Sequence, residues 1–405
     1  MNPRIASLQL YPFERLAKLI EGIVPTDKKS IALSVGEPKH PAPTRVLEAL
    51  AQHAQEISIY PSTRGPAKLR QAISQWLIQR FHLNPDHMDP DRHVLPACGT
   101  REALYSAAQA IVDTSKSDPI VIMPNPFYQI YEGAALLAGA EPYFLNTTAE
   151  TGYKMDFSKV PDAIWKRTQL VYLCSPGNPT GAVASEQDFI NLLELAEKYN
   201  FVIASDECYS EIYFDENNPP LGLLQIAEKL GIKDYRRCLV FHSLSKRSNL
   251  PGLRSGFIAG DGAIMADYLE YRTYHGCTMS SLAQSISIQA WNDETHVQEN
   301  RLQYRKKFDA VLEILKPVLP VTRPDAGFYL WARTSISDEV FTKLLFEKQN
   351  VKVLPGSYLS RKTASGNPGS HHVRMALVAT VEECQDAAFR IKEFIEEISL
   401  SGELN

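Results

Sequence analysis

An α/β fold with parallel strands and more than one domain is predicted by three observations. A strand–helix–strand unit spans residues 170–205. Polar, chemistry-bearing side chains stand just past several predicted strand ends. The chain, at 405 residues, is also longer than one ordinary compact core accommodates.

The elements follow in chain order. Leu69, Ile73, Trp76 and Leu77 fall on one apolar stripe at helical spacing, and Ala103, Leu104, Ala107, Ala108 and Ile111 form another. Both stripes read as core. Ile120-Val121-Ile122-Met123 is an uninterrupted apolar run. Leu170-Val171-Tyr172-Leu173-Cys174 and Phe201-Val202-Ile203-Ala204-Ser205 are two strands, joined through a helix from Ser185 to Tyr199 whose Phe189, Leu192, Leu193 and Ala196 share a face. Ser185 and Asp188 form a capping box at its start. A connection of this kind makes the two strands parallel. Leu239-Val240-Phe241-His242 is a further strand, and Arg361 to Ser370, rich in Ser, Gly and Pro, reads as a surface loop.

Composition excludes several classes. With 42 basic and 47 acidic residues the net charge is −5, and no basic block is present to neutralise nucleic-acid phosphates. Cys98, Cys174, Cys208, Cys238, Cys277 and Cys384 have no close pairing, which suits free thiols in a cytoplasmic protein and no metal site. Glu14, Arg15 and Lys18 arrive before any long apolar run, so neither a signal peptide nor a membrane span is expected.

The most informative stretch is Ser243-Leu244-Ser245-Lys246, followed eight residues later by Arg254. Ligands of open α/β sheets bind outside strand carboxyl ends. A lysine there can form a Schiff base with a carbonyl cofactor, and the arginine can grip a phosphate with two parallel hydrogen bonds. Ser175-Pro176-Gly177-Asn178-Pro179-Thr180-Gly181 fixes a tight loop that holds Asn178 at another strand end. Asp206 and Tyr209 follow a third; Asp206 suits either a helix cap or the partner of a ring nitrogen. Gly99-Thr100-Arg101 opens the second predicted helix, as a simple cap or as a phosphate cradle. Tyr128, in Pro124-Asn125-Pro126-Phe127-Tyr128, is either a structural tyrosine or a face for an aromatic ring. Convergence at strand ends favours one site.

In this ordered set the chain resembles class I/II aminotransferases, the pyridoxal 5'-phosphate enzymes of fold type I, over nearly its full length. The resemblance implies a large α/β domain with a mixed, mainly parallel sheet (46–285) and a smaller α+β domain built from both termini (1–45 and 286–405). It implies that Lys246 is the Schiff-base lysine, Asp206 the partner of the ring nitrogen, and Asn178 and Tyr209 the partners of the ring hydroxyl. Arg254, Ser243, Thr100 and the Gly99–Arg101 backbone would hold the phosphate, with Ser245 a further contact and Tyr128 stacked on the ring. Tyr60 matches a tyrosine that reaches the neighbouring subunit's phosphate, which implies a homodimer. Arg374 matches the clamp for the α-carboxylate of amino-acid and keto-acid substrates, and Gly36 would let the backbone approach that carboxylate. Cys98 and Ala97 stand where the family pattern has an asparagine nearby.

Finer strings, among them Gly36-Glu37-Pro38-Lys39-His40-Pro41-Ala42-Pro43 and Leu354-Pro355-Gly356-Ser357-Tyr358-Leu359-Ser360-Arg361, are similar to the proteobacterial N-succinyl-diaminopimelate aminotransferases. That subgroup implies amino transfer between glutamate and N-succinyl-2-amino-6-oxopimelate in lysine biosynthesis. Lys39, Arg64 and Arg361 are then candidates for the distal carboxylates. The alternatives are an aminotransferase for N-acetylornithine, alanine, aspartate or aromatic amino acids, a β-lyase on the same scaffold, and a non-catalytic interaction protein that kept the fold.

Overall fold

The computed structural model describes residues 1–400. Its strands, numbered along the chain, are β1 (Ile31–Ala32), β2 (Val94–Ala97), β3 (Ile120–Asn125), β4 (Glu141–Asn146), β5 (Thr168–Cys174), β6 (Val202–Asp206), β7 (Cys238–Ser243), β8 (Gly256–Gly260), β9 (Tyr329–Arg333), β10 (Val351–Lys352), β11 (Leu354–Pro355) and β12 (His372–Ala376). Seven of them form one sheet in the order β2-β8-β7-β6-β5-β3-β4. β8 runs antiparallel to both of its neighbours, and the remaining pairings are parallel, so the sheet is mixed and mainly parallel.

Helices cover both faces, which is why its central strands read as unbroken apolar runs. Every residue of β3 and of β7 is buried. Alternation along the strands divides the core in two. Ile120, Ile122, Val171, Leu173, Ile203 and Val240 pack with the stripes of helices Ala67–Phe81 and Glu186–Tyr199. Val121, Met123, Leu170, Tyr172, Leu239 and Phe241 pack with helices Thr100–Ile111 and Gly262–His275. The capping box forms as the sequence predicts: Ser185 N–H donates to Asp188 Oδ2 (2.7 Å) and Asp188 N–H donates to Ser185 Oγ (3.3 Å).

One boundary moves. β6 starts at Val202 and ends at Asp206, because Phe201 turns to stack on Trp165 (centroids 5.3 Å apart) and the ladder extends to the Cys174–Asp206 pair. Asp206 is therefore the last residue of its strand. No helix begins there; the carboxylate instead accepts the Cys208 N–H (3.2 Å) in a tight turn.

A separate cluster joins the two ends of the chain. Ile31 and Leu33 pack with Phe308, Val351, Val373 and Phe394, beside the antiparallel sheet β11-β12-β9 and the parallel pair β1-β10. A division at residue 285/286 would split helix Ser281–Trp291, whose Ile286, Ala290 and Trp291 belong to the large sheet's core, as does Val46. The segment 361–370 carries no helix or strand beyond a Thr363–Gly366 bridge, but its start is not a free surface loop: Arg361 is ion-paired with the buried Glu132. Among the described residues all six cysteines are free thiols, none of the His/Cys/Asp/Glu groupings could hold a metal ion, and no helix is long and apolar enough to cross a membrane.

Candidate active site

β5, β6 and β7 are consecutive in the sheet and run the same way, so their carboxyl ends open on one edge. That edge carries Asn178, Asp206 and Lys246 into a single cavity of about 560 Å³. The cavity also takes in Gly36, Thr100, Arg101, Tyr128, Tyr209, Ser243, Ser245, Arg254 and Arg374.

At one end the groups suit a phosphate. Helix Thr100–Ile111 starts without a side-chain cap behind Gly99, whose φ of +83° is a conformation that favours glycine. A Cβ on Gly99 would collide with the Arg254 guanidinium, so the missing side chain admits that cation beside the helix start. Arg254 donates to the carbonyls of Pro251 (2.9 Å) and Cys98 (3.3 Å). Thr100 Oγ1 accepts from the Cys208 thiol (3.0 Å), and Ser243 Oγ accepts the Ser245 N–H (3.1 Å) at the head of the short turn bearing Lys246. A guanidinium, hydroxyls and unfilled helix amides together make an anion site. Cys98 contributes its main-chain carbonyl to this end.

At the floor, Asp206 is 4% exposed and accepts from the Tyr131 hydroxyl (2.6 Å). Burial holds its carboxyl above the ordinary range, against the lowering effect of the Tyr131 and Cys208 hydrogen bonds. Tyr131 is itself stacked on Tyr172 (4.6 Å). Tyr128 stands edge-on to Tyr131 and accepts from Arg101 Nε (2.8 Å).

Opposite lies a guanidinium delivered by β12. Arg374 is 4% exposed; it donates to Asn178 Oδ1 (3.0 Å) and the Ser34 carbonyl (2.8 Å), and packs over the Tyr329 ring at 4.4 Å. Its Nε is buried without a hydrogen-bond partner among the described residues. Tyr209 and Tyr329 share a hydrogen bond (3.1 Å), and burial pushes the Tyr209 phenol up. Gly36 differs from expectation in detail: the Tyr329 hydroxyl fills the space of its absent Cβ, and its carbonyl accepts from Lys246 Nζ (2.5 Å). The Lys246 ammonium is pushed down to about 8, chiefly by burial and further by the Arg374 charge, against an opposing pull from Cys208.

Four residues named from the sequence stand outside this cavity. Tyr60 is 99% exposed. Lys39 lines a different cavity, of about 610 Å³, and Arg64 donates to the Asp91 carbonyl (2.6 Å). Arg361 gives both arms of its guanidinium to Glu132 and so is not free for a substrate carboxylate. Sequence reading missed Tyr131, Cys208, Tyr329 and Ser34. For Cys208 a signal existed in its place between Asp206 and Tyr209.

The constellation fits pyridoxal 5'-phosphate: an anion cradle, a buried carboxylate for a cationic ring nitrogen, polar partners at Asn178 and Tyr209, and an amine at Lys246. Comparison with known proteins agrees. The family model "Aminotransferase class I and II" matches residues 28–391. An LL-diaminopimelate aminotransferase of Desulforudis audaxviator is 30% identical over 405 residues, covering 96% of each chain. A crystal structure of an aminotransferase from Neisseria meningitidis superposes with a TM-score of 0.92 at 45% identity, over 97% of this chain and 99% of that one. The aminotransferase AspB of Helicobacter pylori gives 0.88 at 33% identity, over 96% and 99%. With its cofactor groups gathered at one sheet edge and this likeness along its length, the chain belongs to the class I and II aminotransferases, whose members use pyridoxal 5'-phosphate.

Proposed function

We propose that this aminotransferase exchanges an amino group between N-succinyl-LL-2,6-diaminopimelate and 2-oxoglutarate, giving N-succinyl-2-amino-6-oxopimelate and glutamate. The observation that carries the reading is Arg101. Among the described residues it is the one Lys or Arg lining the cavity besides Lys246, Arg254 and Arg374, and its hydrogen bonds go to the hydroxyls of Tyr128 and Tyr11. With Arg254 assigned to a phosphate and Arg374 to the α-carboxylate, Arg101 is the cation left for a distal carboxylate, and a succinylated substrate carries such groups.

Pyridoxal phosphate supplies, when bound, an electron sink for the pair left on the substrate carbon. The chain's own residues do the rest. Arg374 holds the α-carboxylate in its planar fork and so orients the α-carbon. Lys246, whose amine is pushed down to about 8, is partly neutral at neutral pH and can take and return the α-proton. Asp206 offers a buried anion to a cationic ring nitrogen, while Asn178 and Tyr209 offer polar contacts across the site.

A second reading, free LL-diaminopimelate, is favoured by the names of several relatives and by Glu37, a carboxylate on the cavity wall suited to a distal ammonium that succinylation removes. Parallel assays of the two amines separate them, and Arg101→Ala tests the distal site. We expect the KM for the succinylated amine to rise about 10–100-fold, with that for alanine, which has no distal carboxylate, changed less than about threefold. Equal effects on both, or faster turnover of the unacylated amine, would remove the succinyl assignment. Transfer to 2-oxoglutarate without release of ammonia and pyruvate separates either reading from a β-lyase.

A further inference from the structure

Residues 34–40 form a strap across the cavity that supplies acceptors to two of its cations. The Ser34 carbonyl takes Arg374 Nη2, and the Gly36 carbonyl takes Lys246 Nζ. The far end of the strap is His40, and one face of helix Thr295–Leu315 grips it. Asn300, Tyr304 and Lys307, at i, i+4 and i+7, all touch the imidazole, and each is at most 3% exposed. Lys307 Nζ lies 2.6 Å from His40 Nε2, and Asn300 Oδ1 lies 2.5 Å from His40 Nδ1. The Tyr304 ring packs 4.8 Å from the imidazole, and Lys307 Nζ sits 4.9 Å above that same ring.

Donor and acceptor types allow one consistent direction. An ammonium only donates, so Nε2 is an acceptor and Nδ1 carries the proton, which it gives to Asn300 Oδ1. The Asn300 amide then points its N–H groups at the carbonyls of Lys246 (3.4 Å) and Arg247 (3.5 Å). Burial and the Lys307 charge push the imidazole down to about 4, which keeps it neutral for this role. Lys307 donates besides to the Val378 carbonyl (3.2 Å) and, among the described residues, has no carboxylate partner, an expensive arrangement for a buried cation. Stability alone would favour an apolar pair at these two positions.

We infer that His40 is a positioning residue: held by Lys307, Tyr304 and Asn300, it fixes the strap so that the Gly36 and Ser34 carbonyls orient Lys246 and Arg374. The inference does not depend on which amine is the substrate. It is tested by His40→Phe, which keeps the ring and removes both hydrogen bonds, beside His40→Gln, which can accept from Lys307 and donate to Asn300. The first readout is acylation of Lys246 in the cofactor-free protein, followed at its own peptide by mass spectrometry across pH. Loss of the Gly36 acceptor lowers the midpoint by about half a unit or more in His40→Phe and leaves it near wild type in His40→Gln. In the holoenzyme, kcat/KM in His40→Phe falls about 10-fold or more, by the same factor for glutamate and for the diaminopimelate-type amine. An unmoved midpoint in His40→Phe, an equal shift in both variants, or a loss confined to one donor would each overturn the role. Should His40→Phe not fold, Lys307→Met breaks the same bond from the other side and is read by the same criteria.

Discussion

Lys246 meets two conflicting demands: an amine that works as a base near neutral pH must be kept from its ordinary ammonium state, and doing so destabilises the fold. Its value is pushed from 10.5 down to about 8. Because the folded chain binds this proton less tightly than the unfolded chain, stability rises with pH between about 8 and 10.5, and the cost is fully present below 8. Lys246→Met should therefore raise the melting temperature of the cofactor-free protein by about 1–3 °C at pH 7, with the gain fading toward pH 10.5. A gain that grows with pH would show that the amine is not destabilised. In the holoenzyme, Lys246→Ala should lower turnover by about 1,000-fold or more. Lys246, Asp206 and Asn178 were legible because each sits in a short string at a strand's end. Tyr131, Tyr329 and Ser34 reach the site through contacts 75, 120 and 340 residues apart in sequence, which no local pattern records.

At the scale of elements, the sheet positions the chemistry and a seam closes beside it. The central runs of β3, β5, β6 and β7 were readable to within two or three residues because burial on both faces leaves continuous apolar stretches, whereas β2, β4 and β8 were not read; the slip at β6 arose because Phe201 is apolar yet packs outside the ladder. The segment after β11 misled for the opposite reason. Its polar, Gly- and Pro-rich composition suits a loop, but its groups bond across to the large sheet: Phe127 N–H to the Leu359 carbonyl (2.9 Å), Arg361 N–H to Asn125 Oδ1 (2.9 Å), and Asn146 Nδ2 to Thr363 Oγ1 (2.9 Å). Arg361 pairs with Glu132 in this seam, both largely buried. Breaking one half of such a pair leaves an unmatched charge. Arg361→Ala should consequently lower kcat/KM for glutamate and for the succinylated amine by similar factors, about 10-fold, and lower the melting temperature. Selective loss of the succinylated amine in parallel steady-state assays would return Arg361 to the specificity pocket.

For the molecule as a whole, the chain joins Ile31 and Leu33 to residues between Phe308 and Ile398 in a second core, and leaves an apolar stretch uncovered. Leu47, Leu50, Ile57, Ile59 and Tyr60 are each more than 40% exposed within fourteen consecutive residues. Exposure of this density marks an association surface, and we propose that it is the homodimer contact expected from family resemblance. Sedimentation should give a dimer, and Ile57→Asp should weaken it about 100-fold. A wild-type chain that sediments as a monomer would oppose both the dimer and the proposed reach of Tyr60 into a neighbouring site.

The most direct measurement is a half-reaction. The pyridoxal form is mixed separately with N-succinyl-LL-diaminopimelate, LL-diaminopimelate, N-acetylornithine, aspartate, alanine and phenylalanine, and the decay of its visible absorbance is followed. Fastest decay with the succinylated amine, slowed selectively by Arg101→Ala, is the predicted result; faster decay with any other amine would contradict the substrate, and decay with none of them would contradict Lys246 as the working amine.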